Sequence, residues 1–350
     1  MNNYFVYFFI AVCLCSCSGG IRTVKISSIV PSAVTIPSTV KSLVIVDRTK
    51  YKSELVDLIE GTITGELPEE DKAAVQILNA NIKSELDLSP RFTTKIASER
   101  LQGNSHTQAF PAQIDWDKVQ ELCTKYAVDA LVSIEFFDTD FVITDGKRQV
   151  QKKIKNSNGV QEIATIDEYF AEGVNTIKLG IKVYNPKTKT IADQYSFNTH
   201  RKWNSVSSSR ADALSRLMSR SDANKNMCRA LGTSYGNRIA PMKIMITRSF
   251  RGKHKKCPEL EQGARYADVA KWKDAIDVWE KGLNDSDPKA SKFLSYNIAV
   301  EYEVLGNYEK ARDWASTSYI QYDHDEAKTY LSQLKKRIQD EKRSKEQIGE

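Results

Sequence analysis

Histidine is scarce in this 350-residue chain: four residues, His106, His200, His254 and His324, stand in four unrelated segments. A transition-metal site needs several His, Cys or carboxylate ligands converging at short spacing, and none of the four has such company. No metal ligand is therefore assigned, and Asp323-His324-Asp325 reads as a solvated turn. The six cysteines include no C-x-x-C pair, which excludes the usual zinc and thioredoxin-like motifs. No G-x-S-x-G elbow, P-loop or H-E-x-x-H occurs. The Ser-rich stretch Trp203–Ser209 has no neighbouring base and reads as a loop leading into a helix N-cap. Asp138 and Asp140 are expected to share a strand face, but the sequence identifies no acid–base group to act with them, so they are not assigned as an active site. No catalytic residue is assigned, and the chain is expected not to be an enzyme. A dominant charge is missing too: 51 Lys and Arg against 45 Asp and Glu leave a formal +6. That mixed surface suits an anionic lipid layer nearby and gives little ground for nucleic acid as a partner.

One apolar run is present at the start. Tyr4 to Leu14 (YFVYFFIAVCL) is unbroken, the length of a signal-peptide core and too short to cross a hydrocarbon layer of roughly 30 Å. It ends in Leu14-Cys15-Ser16-Cys17, which resembles a bacterial lipobox. The resemblance implies that residues 1–16 are a lipoprotein signal peptide and that Cys17 carries a covalent lipid, the one prosthetic group expected. Several acyl chains make a lasting membrane anchor where a single chain does not. Ser18 implies sorting to the outer membrane, and Gly19-Gly20-Ile21 is not an acidic tract, which favours the periplasmic face over the cell surface. Cys123, Cys228 and Cys257 then remain in the mature chain. Cys123 and Cys228 are expected on buried helix faces, and whether any of the three pair is left open.

Ser, Thr, Val and two prolines, Pro31 and Pro37, dominate the segment after Cys17, so residues 17–41 are expected to be an extended tether. An α/β domain is expected over 42–256. Leu43-Val44-Ile45-Val46 predicts a buried strand, Glu69 to Leu86 a helix, Arg91 to Ile96 a strand, and Asp115 an N-cap for a helix ahead of the strand Asp129–Phe136. Gly146 to Asn158 is charged and Gln-rich, which predicts an exposed hairpin or loop. Thr176–Tyr184 and Ile191–Phe197 alternate around the turn Asn185–Lys189 and predict an antiparallel pair. One long helix is expected from Ser209 to Tyr235, then a strand at Lys243–Thr247. Arg248–Lys256 (RSFRGKHKK) reads first as a solvated linker, second as a contact for anionic headgroups or an acidic partner. The order of elements predicts an α+β or α/β fold: a mixed sheet with packed helices, followed by an all-α region.

That region, 257–346, repeats itself. Gly263, Tyr266, Trp272, Ala275 and Trp279 are followed by Ala299, Tyr302, Tyr308, Ala311 and Ala315, each 36 residues on (299 − 263 = 36). The spacing resembles tetratricopeptide repeats, in which small residues mark a close helix crossing and aromatics fill the space between helix pairs. Asp325 to Lys345 is expected to be a capping helix.

The segment DALVSIEFF with the later IKVYNPKTKTIADQYSF distantly resembles the α/β domain of curli-secretion and penicillin-binding-protein-activating lipoproteins. The lipobox, α/β region and terminal repeats together resemble an uncharacterised lipoprotein family of the Bacteroidetes. The expectation drawn is a membrane-tethered periplasmic lipoprotein acting as a non-enzymatic interaction or assembly factor for an envelope protein. The alternatives are a hydrolase acting on envelope glycan or peptide, and a ligand-binding transport accessory lipoprotein.

Overall fold

In the computed structural model, the described residues are 20–50, 70–103, 109–155, 159–285 and 287–350. Lipidation at Cys17, the signal peptide and His106 lie outside them. The chain divides into a sheet unit, Ile29–Lys243 with Lys342–Glu350, and a helical unit, Ile244–Glu341 with the residues up to Ser28. The fold is α+β, a mixed sheet with packed helices, followed by tetratricopeptide-like helical repeats.

The sheet unit holds β2 (Ser42–Asp47), β3 (Thr93–Ile96), β4 (Ala130–Lys155), β5 (Gln161–Asn185) and β6 (Thr190–Ser207), in spatial order β3-β2-β4-β5-β6. Strand β2 runs parallel to both β3 and β4, whereas β4, β5 and β6 form an antiparallel meander. Helices α1 (Glu70–Leu88) and α2 (Trp116–Tyr126) connect the parallel strands. The run Leu43-Val44-Ile45-Val46 has no polar interruption because β2 is buried on both faces. Leu43 and Ile45 pack with α1 residues such as Leu78 and Ile82, while Val44 and Val46 pack with Leu122 and Cys123 of α2.

The helix expected from Ser209 to Tyr235 is two helices, α3 (Arg210–Ser215) and α4 (Arg220–Ile239). Ser209 and Ser219 each accept a hydrogen bond from the backbone N–H of an Asp three residues on, so the second helix starts from an N-cap of its own. Helix α4 packs beside α1 at Gly232 and Gly236, where an added Cβ would stand 2.6 Å from Asn81 Cβ and 2.5 Å from Glu85 Cβ. The small pair at i, i+4 sets that close approach.

The tether expectation is overturned for residues 21–41. Ile21–Val30 form a strand, β1, paired with β7 (Met242–Arg251) in a two-stranded sheet. Ile36 and Val40 are buried in the sheet-unit core, and Arg91 donates to the carbonyls of Ile36 and Pro37, both at 2.7 Å. Prolines 31 and 37 exclude helix but not a packed extended segment. Cys123, Cys228 and Cys257 are all buried; burial pushes Cys123 up to about 12 and raises Cys228 as well.

Candidate functional site

The helical unit consists of α5 (Pro258–Asp268), α6 (Trp272–Asp285), α7 (Pro288–Val304), α8 (Tyr308–Tyr322) and α9 (Asp325–Ile348), the last of which belongs to this unit as far as Glu341. The ten repeat positions fall where helices meet. Ala275, Ala299, Ala311 and Ala315 are fully buried. A Cβ at Gly263 would stand 2.2 Å from Nε1 of the buried Trp279, whose N–H donates to Leu260 O at 3.2 Å. Tyr266, Trp272 and Tyr302 are half-buried against the same cores, with Lys310 Nζ 5.1 Å from the Tyr302 ring centroid. Tyr308 lies under Arg337 at 5.0 Å. The 36-residue period extends to the backbone: Ala270 (φ 59°) and Gly306 (φ 75°) both turn left-handed between the helices of a pair (306 − 270 = 36).

The first helices of the pairs, with α9, carry the β1–β7 ribbon of their own chain. Arg22 on β1 pairs with Asp268 at the end of α5. Asn297 on α7 accepts from Arg251 N at 2.9 Å and donates to Arg251 O at 2.7 Å, the way a neighbouring strand would. Arg337 on α9 donates to Ser27 O at 2.9 Å. Phe250 packs edge-on against Trp279, with ring centroids 5.9 Å apart. The basic run at Arg248 is thus no solvated linker over its first residues: Arg248 and Phe250 are drawn into this unit.

At the middle of that contact, Glu303 is 0% exposed. It accepts from Arg248 at 2.8 and 3.1 Å, from Arg337 at 2.6 Å and from Tyr330 Oη at 2.7 Å. Burial acts to raise the Glu303 carboxyl, but Arg248, Tyr330 and Arg337 outweigh it and hold the group below its ordinary value. Two residues earlier on α7, Glu301 is equally buried, and neither of its carboxyl oxygens has a hydrogen-bond partner among the described residues. Desolvation pushes it up to about 8. Neighbouring carboxyls on one helix are therefore shifted in opposite directions, Glu301 toward the neutral acid and Glu303 toward the carboxylate.

His324 is not in a solvated turn; it is buried, with Nδ1 3.0 Å from Ser318 Oγ and Nε2 2.8 Å from Glu326. Desolvation lowers its pKa. The Ser–His–Glu order looks like a relay, but Ser318 is fully buried and its hydroxyl donates to Lys292 O at 2.8 Å, so it presents no nucleophile to solvent. No group of three metal-ligating side chains occurs among the described residues.

Part of the repeat surface stays open: one shallow cleft lies on and just after α5, lined by Gln262, Arg265, Tyr266, Val269 and Lys271, and another lies between α6 and α8. The second cleft is lined by Leu283, Asp313, Trp314, Thr317, Gln321 and Tyr322, and Ile320 beside it on α8 is 76% exposed. Trp314 and Tyr322 are half-exposed there, beside the more polar Asp313, Thr317 and Gln321.

The sheet unit holds a polar cluster that sequence reasoning missed. Glu135 sits at a bulge in β4, between Ile134 and Phe136, which releases it from the strand alternation. It accepts from Arg48 at 2.8 Å and from Tyr184 Oη at 2.8 Å, and Arg48 also donates to Ala112 O at 2.7 Å. Lys182 lies 5.1 Å from the Phe110 ring centroid and reaches Pro111 O at 3.3 Å; burial lowers its pKa. The available signals were Glu135 inside ALVSIEFF and Lys182 inside IKLGIKVY, charges within otherwise apolar strands. The network is buried and partnered. It ties β4 and β5 to the segments after β2 and before α2.

No curated protein matches the chain. Two solved structures are similar only weakly: the PelC dodecamer from Paraburkholderia phytofirmans (9% identity, TM-score 0.28, covering 62% of this chain and 99% of that one) and a neuraminyllactose-binding hemagglutinin homolog from Helicobacter pylori (10% identity, TM-score 0.28, 59% and 87%). Residues 261–336 match the model of a domain of unknown function, DUF6340. Residues 40–250, more than half of the chain, match a second family model, and the chain belongs to that family, the domain of unknown function DUF8603.

Proposed function

We propose that the chain is an outer-membrane-tethered periplasmic lipoprotein, anchored through lipid on Cys17, that holds another envelope protein on its helical unit without catalysing a reaction. The observation that carries this reading is the division of labour in the repeat. The ribbon contacts α7 and α9, and the α6–α8 cleft, which holds the half-exposed aromatics Trp314 and Tyr322, is the face we assign to a docking partner. The lipobox reading supplies the tether, and the resemblance to a Bacteroidetes lipoprotein family supports the compartment.

Crosslinking in intact cells, followed by mass spectrometry, tests the docking face. Trp314→Glu should abolish the partner crosslink that the unaltered chain gives, while Lys289→Glu on α7 leaves it in place. Equal capture by both variants overturns the reading, as does turnover of an envelope substrate by the purified protein. Removing residues 257–350 is a poor substitute. Residues 342–350 belong to the sheet unit, where Gln347 accepts from Ser32 N at 2.9 Å and donates to Ser32 O at 3.1 Å. Anchoring is tested separately: Cys17→Ala should move the protein from the membrane pellet to the soluble fraction.

A further inference from the structure

The β4–β5 hairpin outruns its sheet. Strand β2 leaves β4 at Ile134, and β6 leaves β5 at Tyr169, yet β4 and β5 remain paired out to Lys155 and Gln161. Helix α3 reaches the arm as far as Asp145, which pairs with Arg210. Beyond that, from Lys147 on one strand to Glu168 on the other, the arm is a two-stranded ribbon with both edges open among the described residues. Such a ribbon is marginal in water without a further strand or a covered face. Its tip nevertheless carries the exposed apolar side chains Ile154, Val160 and Ile163, at 37%, 60% and 66% exposure.

The two edges differ in charge. From residue 147 outward β4 has Lys147, Arg148, Lys152, Lys153 and Lys155 and no acidic residue, whereas β5 from 161 to 168 has Glu162, Asp167 and Glu168 and no basic one. Inside the hairpin, Lys147 pairs with Asp167, and Arg148 and Lys152 both pair with Glu168. Lys153, Lys155 and Glu162 have no ion-pair partner among the described residues, and they stand on opposite edges.

We propose that this arm adds edge to edge to the same arm of a second copy of the chain, the basic β4 edge of one against the acidic β5 edge of the next. Copies related by a simple step along the sheet would meet antiparallel, in the same sense as β4 and β5 within one hairpin. The new junction would repeat the basic-against-acidic order already present, so every basic strand lies between two acidic ones. Backbone N–H and C=O groups of the open edges supply the cohesion, and the summed basic charge of one edge against the acidic charge of the other sets the direction, so that no single one of these residues is indispensable. The contact joins two different edges, so it is heterologous and continues until a ring closes or a filament forms. This inference is independent of the docking face proposed on the repeat.

The experiment uses the full-length protein in cells, with differently tagged copies co-expressed and a short bismaleimide added. Lys153→Cys together with Glu162→Cys in separate copies should give a crosslinked dimer several-fold above either variant expressed alone. The native Cys123, Cys228 and Cys257 are buried and give the background in the unaltered chain. Reversing the β4 edge in the Lys153→Cys copy, with Lys152→Glu and Lys155→Glu, should reduce that crosslink. Adding Asp167→Lys to the Glu162→Cys copy should restore it. Equal crosslinking of Lys153→Cys with itself, no dimer in the mixed pair at normal protein levels, or capture of a different envelope protein by both edges would each overturn the proposal.

Discussion

The two units bury their interiors by different means. The sheet unit packs large aliphatics: Leu43, Ile45, Val132, Ile177, Leu179 and Ile181 meet Leu78, Ile82 and Leu231 from α1 and α4. The helical unit packs alanines at its crossings, one buried tryptophan, and a carboxylate between two guanidiniums. Strands pack face-on to helices at a distance that large side chains must fill, whereas the helical unit sets alanines at its closest crossings and Leu260, Ile276, Leu294 and Ile298 around them. The helical unit should therefore suffer most from added volume and from changes in charge.

The sharpest test of that contrast removes one charge. Glu303→Gln leaves Arg248 and Arg337 without their shared counter-ion in a buried place and should cost about 3–5 kcal/mol. Urea unfolding followed by tryptophan fluorescence reads this, because Trp272, Trp279 and Trp314 lie in the helical unit. A loss under about 1 kcal/mol would mean that water reaches the pair and screens it.

Acidity next distinguishes two carboxyls within the helical unit. Glu301 has a folded-state pKa of about 8 against an ordinary value of 4.5. Its contribution to stability is therefore fully present below the unfolded value and is lost as pH rises through about 8. Glu303 runs the other way: its depressed pKa gives stability that is lost as pH falls through the folded value. Glu301→Gln should flatten the decline between pH 4.5 and 8, an effect on the order of a few kcal/mol at the alkaline end. An unchanged pH–stability curve for the variant would show that Glu301 is hydrated in solution.

Added volume should be felt more modestly. Ala275→Leu, Ala311→Leu and Gly263→Ala are each expected to destabilise the helical unit by about 1–3 kcal/mol, although Leu and Ala are both good helix formers. Ala→Leu at an exposed helical position supplies the control, and equal melting temperatures would break the assignment of close helix crossings. The smallest effect should be a gain. Ala270 occupies the left-handed turn that Gly306 occupies 36 residues later, so Ala270→Gly should stabilise by up to about 1 kcal/mol, the relief of a left-handed Cβ less the entropy of glycine. Calorimetric scanning detects that shift, and a clear loss would show that the turn tolerates Ala without strain.

Local patterns determined much of this molecule. The double-sided burial of β2, the Asp115 cap and the hairpin around Asn185–Lys189 each depend on a few consecutive residues, so periodicity and turn chemistry express them directly. The 36-residue repeat was legible because each helix pair must offer its neighbour the same small and aromatic groups. Tertiary structure decided what depends on residues far apart in the chain. Strand β1 exists through β7, more than 200 positions later, and nothing in VKISSIV announces that partner. Glu135 is turned into the Arg48–Tyr184 cluster by a bulge, and Arg248 becomes a buried ion-pair member because Glu303 and Arg337 meet it there. Which parts of α5, α7 and α9 meet the β1–β7 ribbon was likewise decided in three dimensions. Spacing records which residues share a helix face, but burial of a charge and occupation of a groove depend on which distant segments come to lie against it.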